Sequence, residues 1–128
     1  MSEQPVVLDA SALLAVLAGE PGADAVPTRG LPVISAINLL EVSIVLTRRG
    51  ITPKRVRGIL DALALEVVAF DASMIERATA IHAKSRERGL SLGDAVCLAT
   101  AEVRGGVAWT ADRAWKALDV GVPIQLIR

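Results

Sequence analysis

The sequence predicts an α/β fold, a mostly parallel central sheet of about five strands with helices on both faces, and three observations carry that expectation. Short apolar runs rich in Val and Ile recur along the chain. Each of the first four precedes a stretch with helical spacing, and a polar residue, Asp or Ser, stands at or near the junction. Strands that alternate with helices pair in parallel through right-handed crossovers, so their carboxyl ends collect along one edge of the sheet.

The 128 residues are expected to form one domain, residues 1–128, around a single core. A hydrophobic content of 52% with 22% charged residues argues against disorder, and 14 basic residues balance 14 acidic ones. Net charge therefore gives no argument for nucleic acid, a membrane or an acidic partner, and any basic patch must be local. The single cysteine, Cys97, excludes an internal disulfide framework and fits packing within a helix in a reducing compartment. No apolar run approaches the ~18 residues of a membrane span, and no signal-peptide order is visible, so a cytoplasmic location is expected.

Val6-Val7-Leu8 suits an interior strand, and Asp9 ends it. Ser11 to Ala18 carries Leu13, Leu14 and Leu17 at helical spacing, closed by Gly19. Asp9 then stands in a tight strand-to-helix turn of the kind that lines ligand crevices, although capping by Asp9 or Ser11 explains this stretch equally well. Residues 20–30, with Pro21, Gly22, Pro27 and Gly30, read as loop with at most a turn of helix. Leu31 to Ile34 reads as a second strand, followed by Ser35 as turn or cap.

Asn38 to Arg49 predicts a helix that is apolar almost all round and hence largely buried. Glu41 interrupts it, on a face shared with Ile37, Ile44 and Val45, and a buried carboxylate is costly unless paired, protonated or on a metal. Arg48 and Arg49 end this helix, and Thr52 as N-cap with Pro53 at the first helical position opens the next. Lys54, Arg55 and Arg57 join the two arginines in a basic cluster, either a solvated face or a rim for phosphate contacts.

Leu65 to Phe70 predicts a third strand ending in Asp71, and Ser73 to Glu76 a capping box for a helix to about Arg88, with Ile75, Ala78, Ile81 and Ala83 as its stripe. Local capping accounts for Asp71 and leaves it outside the site. His82, the one histidine, reads as a surface residue, and its solitude excludes a multi-histidine metal site. Ser91-Leu92-Gly93-Asp94 has the Ser-x-x-Asp form ahead of the apolar run Ala95 to Ala101. Taken alone, Asp94 is a helix start stabilised by unpaired backbone N–H groups. That helix ends at Arg104. Val107 to Thr110 is a strand, Asp112 its following turn, 113–118 a short helix and Ile124 to Ile127 an edge strand.

Asp9, Asp94 and Asp112 would then line one sheet edge, with Glu41 on the helix that begins there. Carboxylates gathered with no base but Arg113 nearby repel one another, and a divalent cation relieves that repulsion. Oxygen ligands without Cys or His point to Mg²⁺ or Mn²⁺ rather than Zn²⁺. Such an ion lowers the pKa of bound water and clamps phosphodiester oxygens.

Val-Val-Leu-Asp-Ala-Ser-Ala-Leu-Leu from Val6, Leu-Leu-Glu-Val from Leu39, Ser-Leu-Gly-Asp-Ala from Ser91 and Trp-Thr-Ala-Asp from Trp109 resemble, in this order, PIN-domain ribonucleases, particularly VapC-type toxins of bacterial toxin–antitoxin pairs. The resemblance spans nearly the whole chain. It implies a PIN-like fold and a metal-dependent endoribonuclease. In this reading Asp9, Glu41 and Asp94 are the triad holding Mg²⁺ or Mn²⁺, Asp112 is a less strictly required fourth acid, and Ser11 and Thr110 place hydroxyls near metal or phosphate. It also implies a homodimer, an RNA substrate, and inhibition by a cognate antitoxin, whose apolar segment would meet the helix of Leu13, Leu14 and Leu17. The Pro- and Gly-rich residues 19–30 depart from the more helical relatives and bear on the shape of that groove.

Three other readings stand beside this one. A receiver-like domain would use Asp71 as phosphoacceptor, but would want an acidic pair after the first strand and a lysine after the last; here Asp9 stands alone and no lysine follows Lys116. An aspartyl-phosphate phosphatase would want a second Asp where Ser11 stands. A non-catalytic binding module of the same fold is the third. Two Trp and one Phe are too few for extensive base stacking, so RNA recognition would rest on shape and phosphate contacts.

Overall fold

The computed structural model describes residues 4–27, 30–85, 87 and 89–128. Five short strands, β1 (Val6–Leu8), β2 (Val33–Ser35), β3 (Glu66–Val68), β4 (Val107–Thr110) and β5 (Ile124–Leu126), form one sheet in the order β3-β2-β1-β4-β5. Every neighbouring pair is parallel, with Val7 opposite both Val33 and Ala108. Helices α1 (Ala10–Ala18), α2 (Ala36–Arg48), α3 (Pro53–Asp61), α4 (Ile75–Ser85) and α5 (Leu92–Arg104) make the connections. Short 3-10 turns occupy Ala23–Ala25, Ala72–Met74 and Arg113–Ala117.

Side chains of a strand alternate between faces, and the sheet uses this to build two cores. Val7, Val33 and Ala108 point to one face, covered by α4, α5 and Trp115. Leu8 and Ile34 point to the other, against Ala12, Leu13 and Ala15 of α1, Val42 and Leu46 of α2 and Val56 of α3. Gly19 closes α1 at φ 65°, a conformation in which a Cβ would be strained.

Element type agrees with the sequence expectation throughout, while several details differ. β2 starts at Val33 rather than Leu31, because Pro32 has no N–H to give a ladder, and β3 is confined to 66–68. Helix α2 is not largely buried. Its buried stripe is Asn38, Val42 and Leu46, spaced four apart, whereas Leu40 and Ile44 are exposed. A two-sided sheet offers α2 one face only, so an apolar composition all round cannot all be covered. In place of a Ser73–Glu76 box, Asp71 caps the 3-10 turn Ala72–Met74 that leads into α4, accepting from the Ser73 N–H at 3.0 Å. The helix end expected near Arg88 lies outside the described residues. Within α1, Leu13 is fully in the core and Leu14 and Leu17 are half-buried against it, so the apolar residue turned outward is Val16. Among the described residues no helix is long and apolar enough to cross a membrane.

Candidate active site

The chain runs outward from β1 to β2 and β3, then returns to the other side of β1 for β4 and β5. The carboxyl ends of β1 and β4 therefore flank a topological switch point, the place where open α/β sheets leave a crevice. Asp9 follows β1 there, and Thr110 ends β4.

Asp9 is 4% exposed and is the N-cap of α1, accepting from the Ala12 N–H at 2.8 Å. Two hydroxyls also point at it. Thr110 Oγ1 donates to Asp9 Oδ2 at 2.6 Å, and Ser11 Oγ lies 2.8 and 2.9 Å from the two carboxylate oxygens. The hydroxyls are themselves held from behind: Ser11 accepts from the Ala111 N–H at 2.9 Å and Thr110 from the Asp112 N–H at 3.0 Å. Both backbone donors thus steer the hydroxyl protons toward Asp9. Even so, burial pushes the Asp9 pKa from 3.8 up to about 6, against the lowering by these hydrogen bonds and with a further push from the charge of Asp94.

Glu41 lies against the start of α5, where Asp94 stands. Ser91 and Asp94 form the expected capping box, with Ser91 N–H donating to Asp94 Oδ2 at 3.0 Å and Asp94 N–H donating to Ser91 Oγ at 3.1 Å. Beside it, the Glu41 carboxylate lies directly over the backbone of Gly93: a Cβ there would stand 2.3 Å from Glu41 Oε1. Asn38 Nδ2 donates to Glu41 Oε1 at 2.8 Å and to the Gly93 carbonyl at 3.0 Å. Cys97, one turn beyond Asp94, is buried, and its thiol is pushed up by that burial and by the charges of Asp9, Asp94 and Glu41.

Asp112 is placed differently. Its carboxylate accepts from the Ala114 N–H at 2.9 Å as the cap of the 113–117 turn and is exposed, so its link to Asp9 runs through its own backbone N–H and Thr110. The basic cluster is not at this edge. Arg48 lies seven residues beyond Glu41 on α2, roughly 10 Å along the axis, at the helix end remote from Asn38. Within it Arg49 pairs with Glu20 at 3.9 Å and Arg57 with Asp61 at 3.6 Å. Asp71 follows the edge strand β3, two strands from β1 and so roughly 10 Å away, and caps its own turn, which removes the basis for a receiver-like phosphoacceptor. His82 is exposed on α4 and borders an apolar groove with Ile37, Phe70, Ala78, Leu92 and Val96 that none of the four site carboxylates lines.

The donor chemistry fits a hard divalent cation. Among the described residues no ion pair involves Asp9, Glu41, Asp94 or Asp112, so their charge is not compensated by Lys or Arg. As the side chains stand, no three His, Cys, Asp or Glu among the described residues are gathered closely enough to enclose an ion. Two residues absent from the sequence-based site emerge here, Asn38 and Gly93. The available signals were an Asn three residues before Glu41, hence on its face, and a glycine inside a helix's first turn where Ala would be more stable by ~1 kcal/mol.

An all-parallel five-stranded sheet flanked by helices, with Asp9 following β1 at its switch point, defines a Rossmann-like α/β protein. The chain belongs to the PIN domain family, whose model matches residues 6–121. No curated protein matches it in sequence. Solved structures share its fold. A toxin–antitoxin complex from Klebsiella pneumoniae has 21% identity over 97% of this chain and 98% of that one, with a TM-score of 0.71. DNA-bound VapBC from Salmonella typhimurium has 19% identity over 98% and 99%, with a TM-score of 0.73. VapC20 from Mycobacterium tuberculosis, described as a toxin that cleaves the sarcin–ricin loop, has 21% identity over 92% and 99%, with a TM-score of 0.69.

Proposed function

We propose that this chain is a metal-dependent endoribonuclease, the toxin of a toxin–antitoxin pair, hydrolysing RNA phosphodiesters with Mg²⁺ or Mn²⁺ held by Asp9, Glu41 and Asp94. What supports the reading is Asp9 following β1 at the switch point of the sheet, and the Glu41 carboxylate lying against Gly93, the residue before Asp94 at the start of α5, with no Lys or Arg among the described residues paired to any of the three. Membership of the PIN family supports it, as does the likeness of fold to VapC20 and to toxin–antitoxin complexes.

A bound Mg²⁺ or Mn²⁺ supplies a water of lowered pKa and neutralises charge on the phosphate. The chain's own residues prepare that site. Ser11 and Thr110 orient the Asp9 carboxylate through hydroxyls that each accept one backbone N–H, which favours turning their protons toward Asp9. Ser91 N–H holds one oxygen of Asp94 and leaves the other free. Asp112 sits beyond Thr110, to which its backbone N–H donates, and serves as an outer acid.

In this reading residues 1–128 act as one PIN-like domain in a cytoplasmic homodimer, and a cognate antitoxin blocks the site with an apolar segment laid on α1, whose outward residue is Val16. Brief induction of the protein alone, followed by mapping of new RNA 5′ ends, tests the function. Discrete cleavage sites that vanish with Asp94→Asn are expected. Unchanged RNA would leave a non-catalytic module of the same fold.

A further inference from the structure

Asn38 is only 1% exposed, a full amide set into the buried stripe of α2 between apolar neighbours. Its NH₂ group reaches two acceptors that cannot donate, the Glu41 carboxylate and the carbonyl of Gly93, 55 residues away in sequence. Reversing the amide would aim Oδ1 at both, so the orientation is fixed by its partners. Held this way, Oδ1 is buried with no hydrogen-bond partner. An apolar residue of the same size would avoid that penalty but would make neither bond, so what the amide supplies is the hold on Glu41 and Gly93.

Gly93 meets the same carboxylate with its backbone. An added Cβ would lie 2.3, 2.6 and 2.7 Å from Glu41 Oε1, Cδ and Oε2, so only glycine lets the carboxylate rest on the first turn of α5. Glu41 has a long side chain, and left free it would lose rotamer entropy on joining any site. Here it is ordered beforehand.

We infer that Asn38 and Gly93 form a seat that holds the Glu41 carboxylate beside Asp94, and that Asn38 is a positioning residue acting on the cation site through Glu41. The inference rests on the acidic-site reading above. Groups that orient a metal ligand change affinity by about ten- to a hundredfold when removed, without touching the metal themselves.

Mn²⁺ binding by calorimetry and melting in chelator, on the intact chain, test it. Asn38→Leu removes the donor together with the orphaned oxygen. Gly93→Ala displaces Glu41 with its added methyl, and its clash is with the flexible end of a side chain, so it stays folded even if Asn38→Leu does not. Both are expected to melt at or above the wild-type temperature in chelator and to bind Mn²⁺ at least about tenfold more weakly. In a Glu41→Gln background neither is expected to weaken binding further. A purely structural role would instead lower the melting temperature and leave affinity intact in the folded protein. Wild-type affinity in Gly93→Ala, or a full additional loss in the Glu41→Gln background, would overturn the seat. A wild type that binds no Mn²⁺ would overturn the acidic-site reading and this inference with it.

Discussion

Asp9→Asn removes the charge from the most buried carboxylate of the site, and its effect on stability can be worked out from the structure. Desolvation raises the Asp9 pKa from 3.8 to about 6, with the Asp94 charge acting in the same direction. The folded state therefore holds a proton that the unfolded chain has already released. Stability from the neutral acid is complete below 3.8, falls as pH rises and is lost once pH passes about 6. At 1.36 kcal/mol per pH unit, the anion costs the fold about 3 kcal/mol at neutral pH. Asparagine imitates the neutral acid. Its carbonyl still accepts from Ala12, and its amide can donate to the Ser11 and Thr110 hydroxyls, which rotate to receive it. In chelator at about pH 7.5 the variant should be more stable by about 1–3 kcal/mol, a rise of about 4–10 °C in Tm for a domain of this size. The difference should shrink to near zero by about pH 4. Saturating Mn²⁺ at ten times its Kd adds about 1.4 kcal/mol to the wild type and narrows the gap. Thermal melts from about pH 4 to 8, with chelator and with Mn²⁺, measure all of this. A variant less stable than wild type at pH 7.5 in chelator, or a difference indifferent to pH, would refute the argument.

Three further outcomes follow from the same geometry. Thr110→Val keeps the volume but removes the donor to Asp9 and the acceptor of the Asp112 N–H, so it should destabilise by about 1–3 kcal/mol and move the Asp9 titration to higher pH in the same melts. Asp112→Asn keeps an oxygen for the Ala114 N–H and carries no burial penalty, so Tm should hold while RNA cleavage falls by less than in Asp9→Asn, as initial rates would show. Co-expression with a neighbouring small open reading frame should yield an inactive complex that Val16→Glu disrupts; an active, unbound protein would count against the antitoxin partner.

Much of this was legible in the sequence, and the limits have physical causes. Alternating strand and helix signals gave the parallel sheet, because each strand run is short and each junction carries its own cap. The capping roles of Asp9 and Asp94 were legible, and the same positions are the ones proposed for the site. Capping and function are compatible here: the N–H groups that stabilise a carboxylate at a helix start also fix its direction. The burial of α2 was overread because apolar residues on all sides of a helix do not say how many sides a neighbour will cover, and Leu40 and Ile44 face outward. Glu41 stood out as an acid among apolar residues, but its partner Asn38 did not. The bond from Asn38 to the Gly93 carbonyl joins α2 to α5, and only the packed structure brings those helices together.

The central claim is that Asp9, Glu41 and Asp94 make one cation site that hydrolyses RNA. Purified protein incubated with a structured RNA in Mn²⁺ or in chelator, alongside folded Asp9→Asn and Asp94→Asn, tests it most directly. The account predicts cleavage by the wild type in Mn²⁺, none in chelator, and none by either variant in Mn²⁺. Equal cleavage with and without Mn²⁺, or wild-type rates in either variant, would contradict it.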